Sequence, residues 1–283
     1  MEKHPLVTII TPSYNQGKFI EDTLKSVKIQ KYRNIEHIII DGGSSDKTLE
    51  ILEKYRNSYN ISWISEPDSG QVDALEKGFR LANGEILTWL NSDDYFLDDT
   101  VVQKVVEYFC NNQKITVITG NGQFVDQWGK LISPIISNKK LINADFMRYA
   151  DYVLQPSTFF RSSVLNKISL NKEFNYAFDW LFFLNMFENN FKFLIVDDFF
   201  SAYRIHEAHK TGGNTASRKH EIARIVKRNL GIFRMQTLYC YTIYYLFLFS
   251  EIFPKSIQKN IKYLIGILNY YVQRISKNRI YSC

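Results

Sequence analysis

Cysteine is scarce in this chain of 283 residues, which contains only Cys110, Cys240 and Cys283. Their number is odd, their spacing is wide and no C-x-x-C pair occurs, so we expect neither a disulfide framework nor a zinc site. Such cysteine usage suits a reducing compartment. The amino terminus runs directly into an apolar strand pattern, so we also expect no signal peptide and a cytoplasmic location.

Two other sequence features are missing, and each absence argues against a class of protein. The mostly apolar stretch 238–253 is shorter than the about 20 residues that a membrane-spanning helix needs. No G-x-G-x-x-G follows the first apolar run, where dinucleotide-dependent oxidoreductases place their phosphate loop. The composition, 45% hydrophobic and 23% charged, is that of an ordinary folded protein.

Acidic residues are rare in the carboxyl-terminal part of the chain. Residues 203–283 contain 14 Lys and Arg against 3 Asp and Glu, whereas residues 1–202 contain 21 against 26. Such a basic tail should meet an anionic partner. Apolar residues recur at helical spacing over 257–275 with basic residues between them, which suits an anionic membrane surface and not a nucleic-acid partner. Packing of this face on the protein's own body is the alternative.

In the first hundred residues, strand and helix patterns alternate with short connections. This rhythm predicts right-handed crossovers and a parallel sheet. The strands are predicted at 6–11, 35–40, 61–65 and 85–90, and the helices at 18–30, 47–56 and 71–82. Ser45 is expected to cap the second of these helices.

Beyond residue 100 the pattern becomes irregular. The predicted elements are a helix at 100–110, a strand at 115–120, a hairpin of 123–126 with 130–134, a strand at 157–160, a helix at 180–188 and a strand at 193–196. Asp197 and Asp198 are expected to form a solvated pair at the end of that last strand. A mobile loop at 210–214 and a helix at 215–233 should follow.

Two of the predicted strands end in acidic residues. The apolar run before Asp41 and the one before Asn91, Asp93 and Asp94 read as strands buried on both faces. Ligands of such sheets bind beyond the carboxyl ends of the strands. Adjacent acids at a buried strand end repel each other unless a cation or a ligand hydroxyl satisfies them. The sequence therefore predicts a ligand site at this edge.

The chemistry of these strand ends suits a nucleotide diphosphate. Tyr14 can stack on a base, and Asp41 can accept a hydrogen bond from a base imide N–H. Asp93 can hold a divalent cation against the phosphates, because hard cations prefer oxygen ligands.

Four segments follow one another in a recognisable order: TPSYN at 11–15, DGGSSD at 41–46, EPDSG-x2-DA-x2-KG at 66–78 and GEILTWLNSDD at 84–94. This ordered set resembles glycosyltransferase family 2, strongly over 6–100 and more loosely over 150–210. The resemblance implies an α/β fold of the GT-A type, with a Rossmann-like, mostly parallel sheet flanked by helices. It also implies a nucleotide-sugar donor and inversion of the anomeric centre.

The domain prediction follows from the resemblance and from the basic tail. Residues 1–213 should form the glycosyltransferase domain, with a nucleotide-sugar half at 1–100 and an acceptor half at 101–213. Residues 214–283 should form a helical, basic, amphipathic extension that associates with a membrane.

The resemblance also implies the site residues on the donor side. Donor contacts are expected from Thr11, Pro12, Tyr14, Asp41, Asp68, Asp73, Lys77, Asn91, Ser92 and Arg204. Asp93 and His206 are the expected ligands of Mn²⁺ or Mg²⁺, with Asp94 in support. The chain departs from the family pattern at Asn91, where the D-x-D motif begins with an acid, and at Gly42, where many relatives have a second aspartate.

Asp179 is the expected catalytic base, and Trp180 is expected to stack on a sugar of the acceptor. The alternative for Asp179 is a cap of the helix at 180–188. Arg204 should neutralise charge on the leaving diphosphate, although Lys77 could equally be an ordinary surface lysine. Asp46 should complement the dipole of a helix start.

These expectations combine into one functional hypothesis. The chain should be a metal-dependent inverting glycosyltransferase, peripheral on the inner face of the cell membrane. It should pass a sugar, expected to be UDP-linked, to a glycan or lipid-linked acceptor in surface polysaccharide synthesis. The alternative is a non-catalytic membrane-associated module that binds nucleotide sugar, for which Asn91 in place of an acid is the support.

Overall fold

The sheet is built around its first strand, whose residues are all buried. The strands are β1 (Val7–Ser13), β2 (Ile35–Asp41), β3 (Ile61–Ser65), β4 (Ile86–Trp89), β5 (Tyr95–Phe96), β6 (Val117–Val125), β7 (Leu131–Ile135), β8 (Thr158–Arg161) and β9 (Phe193–Arg204). The helices are α1 (Ile20–Lys28), α2 (Thr48–Tyr55), α3 (Gln71–Leu81), α4 (Val101–Asn111), α5 (Ala144–Met147), α6 (Phe178–Glu188), α7 (Ala216–Leu230) and α8 (Met235–Ser250).

This computed structural model describes residues 4–207, 216–231, 235–255, 257–258 and 260–265. The chain divides into two units, Met1–His209 and Lys210–Cys283. The domain boundary expected after residue 213 lies close to this division. The loop expected at 210–214 and the tail beyond residue 265 lie outside the described residues.

The first half of the sheet is parallel, as the alternating pattern predicts. β1 pairs in parallel with β2 and with β4, and β2 pairs in parallel with β3. β-branched and apolar residues fill both faces of β1, β2 and β4, as expected of strands covered by helices on each side, whereas the edge strand β3 is partly exposed. The α/β architecture expected from the sequence is therefore confirmed.

In the second half of the sheet, one antiparallel strand, β8, lies between two strands that run in the same direction, β4 and β6. β8 is antiparallel to β4 and to β6, so β6 points the same way as β4. β9 is parallel to β6, while β5 and β7 pair antiparallel with β9 and β6. The described strands thus run β3-β2-β1-β4-β8-β6-β9-β5. The carboxyl ends of β1, β2, β3, β4, β6 and β9 consequently meet at one edge.

β9 is longer than the sequence indicates. The strand was expected to end at residue 196, but it continues to Arg204, so Asp197 and Asp198 lie inside it. An irregularity in the register with β6 absorbs the extra residues, which is the usual role of a β-bulge. The acids remain satisfied because Asp197 pairs with Lys139 and Asp198 with Lys104. The expected strand end at these two acids is therefore wrong, although Asp197 is exposed to solvent as expected.

α6 sits on the aromatic core of the sheet. It is mostly apolar and mostly buried, with Asp179, Asn185 and Glu188 as its polar positions. The Phe183 ring stacks on Trp89 of β4 at 5.7 Å between centroids. Since α6 leads into the start of β9 by a short connection, its own first turn lies towards the edge where the parallel strands end.

In the carboxyl-terminal unit, the described helices α7 and α8 pack on each other. The small core of this unit contains Ala216, Ile243, Phe247 and Ile265. The other face of α8 exposes large apolar side chains at helical spacing, Leu238, Tyr245 and Phe249, and Ile252 is exposed just beyond the end of the helix. Within the described part of the chain, no helix is both long enough and apolar enough to cross a membrane.

Candidate active site

Asp93 and His206 meet where β4 and β9 end. Asp93 Oδ2 lies 3.0 Å from His206 Nε2, although the two residues are far apart in sequence. The His206 side chain is buried and its ring lies 4.3 Å from that of Phe19. The structure thus brings together the two residues expected to bind a metal.

Asp94 is a buried support for this pair. Its Oδ1 accepts a hydrogen bond from the backbone N–H of Arg204 at 3.0 Å, and its Oδ2 accepts one from Asn91 Nδ2 at 3.2 Å. Burial, followed by the charge of Asp93, raises the pKa of Asp94 well above its usual range. Ser92, which was expected to contact the donor, lies between Asn91 and Asp93 in sequence, and its side chain is buried.

Arg204 has a structural role that differs from the expected one. Its Nε donates to the Asp93 carbonyl at 2.9 Å, its Nη1 to the Gln127 carbonyl at 3.0 Å, and its Nη2 to Asp22 Oδ2 at 2.7 Å. The side chain is only 2% exposed. The expected contact with a leaving diphosphate is therefore wrong, because all three nitrogens bond within the protein. Arg204 instead positions the backbone of Asp93.

The amide of Asn91 accounts for one departure from the D-x-D pattern. Its Oδ1 accepts from Gln71 Nε2 at 2.8 Å, while its Nδ2 donates to Asp94 and, at 3.3 Å, to Gln155 Oε1. Gln155 Nε2 in turn donates to the Trp89 carbonyl at 2.6 Å. A carboxylate at position 91 could not donate to Asp94. The two glutamines carry no sequence signal that would have identified them.

Asp41 organises the loop that follows β2. It is fully buried and accepts hydrogen bonds from the N–H groups of Gly43 and Ser44 and from the hydroxyls of Ser44 and Ser65. Because no carboxylate oxygen is exposed, this arrangement contradicts the expected contact of Asp41 with a base.

Gly42, the second departure, leaves room for Asp68. A Cβ at position 42 would lie 3.0 Å from Asp68 Oδ2. The same carboxylate accepts a hydrogen bond from the Gly70 N–H at 2.8 Å, just before α3 begins. Asp68 therefore reaches the end of β2, close to the position where many relatives carry their second aspartate.

The TPSYN segment divides into buried and exposed residues. Thr11 Oγ1 lies 2.9 Å from His37 Nε2, inside the protein, and Pro12 is buried beside it. Burial lowers the pKa of His37 to about 3. Tyr14 is 62% exposed and keeps the ring face expected to stack on a base. Thr11 and Pro12 therefore shape the strand end, and their side chains do not reach a donor.

Two further side chains lie at this edge: Ser13, which was not identified from the sequence, and Asp46, which lies at a helix start as expected. Ser13 Oγ is buried and has no hydrogen-bond partner among the described residues. Asp46 accepts from the Gly17 N–H and from the Thr48 N–H, each at 2.9 Å. Because α2 starts at Thr48, Ser45 is not its cap, and Asp46 ties the loop after β1 to this helix.

Asp73 and Lys77 belong to a surface ion cluster on α3. Lys77 Nζ lies 2.9 Å from Glu66 and 3.6 Å from Asp73, and Lys172 reaches Asp73 at 3.3 Å. These ion pairs favour the interpretation of Lys77 as a surface lysine.

Asp179 lies in the first turn of α6. It is partly exposed, and its Oδ1 accepts from the Trp180 N–H at 2.8 Å. The ring of the preceding Phe178 lies 6.5 Å from Trp89 at the end of β4, so the helix starts beside that strand end. Trp180 is 3% exposed and its Nε1 donates to the Met147 carbonyl. Stacking of Trp180 on an acceptor is therefore wrong, because its ring has no free face.

Sequence comparison shows that the chain is similar to known glycosyltransferases. The family model described as "Glycosyl transferase family 2" matches residues 8–169, more than half of the chain. An uncharacterised glycosyltransferase of Mycobacterium tuberculosis is 32% identical over 192 residues, 65% of this chain and 70% of that protein. Chondroitin synthase of Escherichia coli is 33% identical over 150 residues, 51% of this chain but 22% of that protein.

Solved structures share the fold. Staphylococcus aureus TarS, in complex with UDP-GlcNAc, superposes with a TM-score of 0.64 at 20% identity, over 89% of this chain and 82% of that one. A mannosyltransferase from Pyrobaculum calidifontis, in complex with GDP-Man and Mn²⁺, gives 0.63 at 13% identity, over 98% and 84%.

Proposed function

Because this chain belongs to glycosyltransferase family 2, we propose that it transfers a sugar from a nucleotide-diphosphate donor to a glycan or lipid-linked acceptor, with inversion. The observation that carries the proposal is the contact between Asp93 and His206 at the edge where the parallel strands end. The donor is proposed to be UDP-linked, like the UDP-GlcNAc in the complex of TarS, a protein of the same fold. Surface polysaccharide synthesis is the proposed setting.

A divalent cation fits the donor atoms at this edge. Among the described residues, no three His, Cys, Asp or Glu side chains are grouped tightly enough to bind a metal by themselves. Asp93 and His206 supply one carboxylate and one imidazole, and the oxygens of a bound diphosphate would complete the ligand set. Mn²⁺ or Mg²⁺ held there would stabilise negative charge on the departing diphosphate.

Asp179 is the proposed base. Its carboxylate would take the proton of the acceptor hydroxyl as that oxygen bonds to the anomeric carbon and the bond to the diphosphate breaks. Its position supports the role: the start of α6 borders the end of β4, and the carboxyl group is partly exposed.

Peripheral attachment to the inner face of the cell membrane is proposed for the carboxyl-terminal unit. Leu238, Tyr245 and Phe249 form an exposed apolar face on α8, Ile252 is exposed just beyond it, and residues 203–283 carry the strong excess of basic residues. An apolar helix face in a basic segment suits the interface of an anionic bilayer.

Release of nucleoside diphosphate from a panel of UDP- and GDP-sugars tests the proposal. We expect one donor to be consumed with Mn²⁺ or Mg²⁺, and consumption to stop with chelator and in Asp93→Asn. Glu188→Gln, at the far end of α6, is the matched control and should behave as wild type. Binding of a donor without release in any condition would instead favour the non-catalytic module suggested by Asn91.

A further inference from the structure

The turn between β6 and β7 presents the most exposed tryptophan among the described residues. Trp128 is 79% exposed at the tip of this turn, which comprises residues 126–130. One exposed apolar side chain is ordinary on a protein surface. The way in which this turn is built and attached indicates a more specific role.

The turn has a fixed backbone. Asp126 Oδ1 accepts hydrogen bonds from the N–H groups of Trp128 and Lys130, both at 2.9 Å. The Asp126 N–H donates to the Lys130 carbonyl at 2.9 Å, which closes the turn. Gly129 supplies the left-handed conformation, with φ of 84°, that the turn requires. The indole therefore extends from a rigid support.

The turn is also attached to the transfer site. Arg204 donates to the Gln127 carbonyl and to the Asp93 carbonyl with the same guanidinium group, which joins the turn to the strand end that bears the metal-site carboxylate. Lys18, in the loop after β1, donates to Gln127 Oε1 at 2.9 Å. These contacts hold the turn beside the parallel strand ends, on the side of β4 that leads through β8 to β6.

We propose that Trp128 is the stacking platform for a sugar ring of the acceptor, an inference that rests on the proposed transfer reaction. A pyranose has an apolar C–H face and a rim of hydroxyls. The indole offers a flat apolar surface, and Gln127, adjacent to it in sequence, is bonded to Lys18 and supplies polar groups to the same turn. The proposed donor contacts lie mainly at the ends of β1, β2 and β4, whereas Trp128 follows β6. Trp180, expected in this role, is buried.

The test compares Trp128→Ala, Trp128→Phe and Ile132→Ala in the full-length protein. Ile132 is an exposed apolar residue of the same hairpin and serves as the matched control. Acceptor probes are chitotriose, cellotriose, maltotriose and a chondroitin tetrasaccharide, used with the donor that the wild type consumes. Release of nucleoside diphosphate without acceptor reports separately on donor turnover.

We expect the KM for the accepted oligosaccharide to rise about tenfold in Trp128→Ala and less in Trp128→Phe, in proportion to the lost aromatic surface. Ile132→Ala should match the wild type. An unchanged KM in Trp128→Ala, or failure of every oligosaccharide probe to accept sugar from a donor that is consumed, overturns the inference alone. Failure of the wild type to consume any donor removes the proposed function as well.

Discussion

Arg204 and Asp22 form an ion pair across 182 positions of sequence, with Nη2 lying 2.7 Å from Oδ2. The pair joins the end of β9 to α1. Its two members differ in environment, because the Arg204 side chain is 2% exposed and that of Asp22 is 51% exposed. The buried member also donates to the backbone carbonyl of Asp93, so the geometry of this proposed metal ligand depends on a residue that is not itself a proposed ligand.

Replacement of Arg204 should therefore destabilise the fold more than replacement of Asp22. We expect Arg204→Lys to lower the free energy of unfolding by about 2–4 kcal/mol, because buried carbonyls lose their donors. Asp22→Asn should cost about 1 kcal/mol or less, because water screens that carboxylate. Urea unfolding of both variants measures the difference. Equal losses would show that the ion pair, and not the carbonyl contacts, is the important part.

Loss of the proposed base should reduce turnover and leave donor binding intact. We expect Asp179→Asn to lower kcat on the order of 10²–10⁴-fold, which is typical for removal of a general base. Calorimetric titration with UDP should give a wild-type dissociation constant. Near-normal turnover in a correctly folded variant would exclude the assignment.

Gly78 allows α3 to lie directly on β1. A Cβ at this position would lie 2.4 Å from Ile10 Cγ2. Alanine normally stabilises a helix interior by about 1 kcal/mol relative to glycine. Here we expect Gly78→Ala to destabilise by about 1–3 kcal/mol, because the core must shift to accept the methyl group. Thermal unfolding shows whether Gly78→Ala raises or lowers the stability. If the clash with Ile10 causes the loss, adding Ile10→Ala to the Gly78→Ala variant should recover part of it.

Asp46 should contribute stability that depends on pH. Burial would raise its pKa, but the hydrogen bonds from Thr48 and Gly17 outweigh this and hold the pKa below its usual range. The contribution is therefore fully present above the unfolded-state pKa of about 3.9 and disappears as the pH falls through the lower folded-state pKa.

We accordingly expect Asp46→Asn to cost about 1 kcal/mol at pH 7, since it removes a cap-like set of acceptors at an exposed site. At a pH below the lowered folded-state pKa, where Asp46 is protonated in both states, the variant and the wild type should converge. Urea titrations at both pH values provide the measurement. A difference that stays constant with pH would mean that shape, and not charge, explains the effect.

The outer face of α8 should bind anionic vesicles. Replacement of Tyr245, Phe249 and Ile252 by serine should weaken partitioning into phosphatidylglycerol vesicles by about tenfold or more, because each side chain loses apolar burial. Sedimentation with vesicles measures the bound fraction. A triple variant that binds like the wild type would assign this face to another partner.

The parallel half of the sheet could be predicted from the sequence because its signals are local. Each strand is a short apolar run, each helix follows within a few residues, and the acids after β2 and β4 mark the edge. The approach of Asp93 to His206 follows from strand direction once β9 is known to be parallel to β6.

The predictions that were wrong concern residues whose positions depend on partners distant in sequence, and not on local signals. β9 continues past Asp197 because β6 offers it backbone partners, which no window around residue 197 reveals. Arg204 has a structural role because its acceptors come from α1, the β4 end and the β6 turn. Trp180 is directed inwards, where its ring is buried and its Nε1 donates to the Met147 carbonyl, so its residue type alone was misleading.

The strand order has a consequence for biosynthesis. β9 lies between β6 and β5, and the proposed metal ligand His206 follows it directly. During synthesis on the ribosome, β5 and β6 therefore cannot pair with β9 until the chain has been made to about residue 200. Until then the chain cannot assemble the proposed ligand pair, so competence to take up substrate would coincide with the completion of the first unit, Met1–His209.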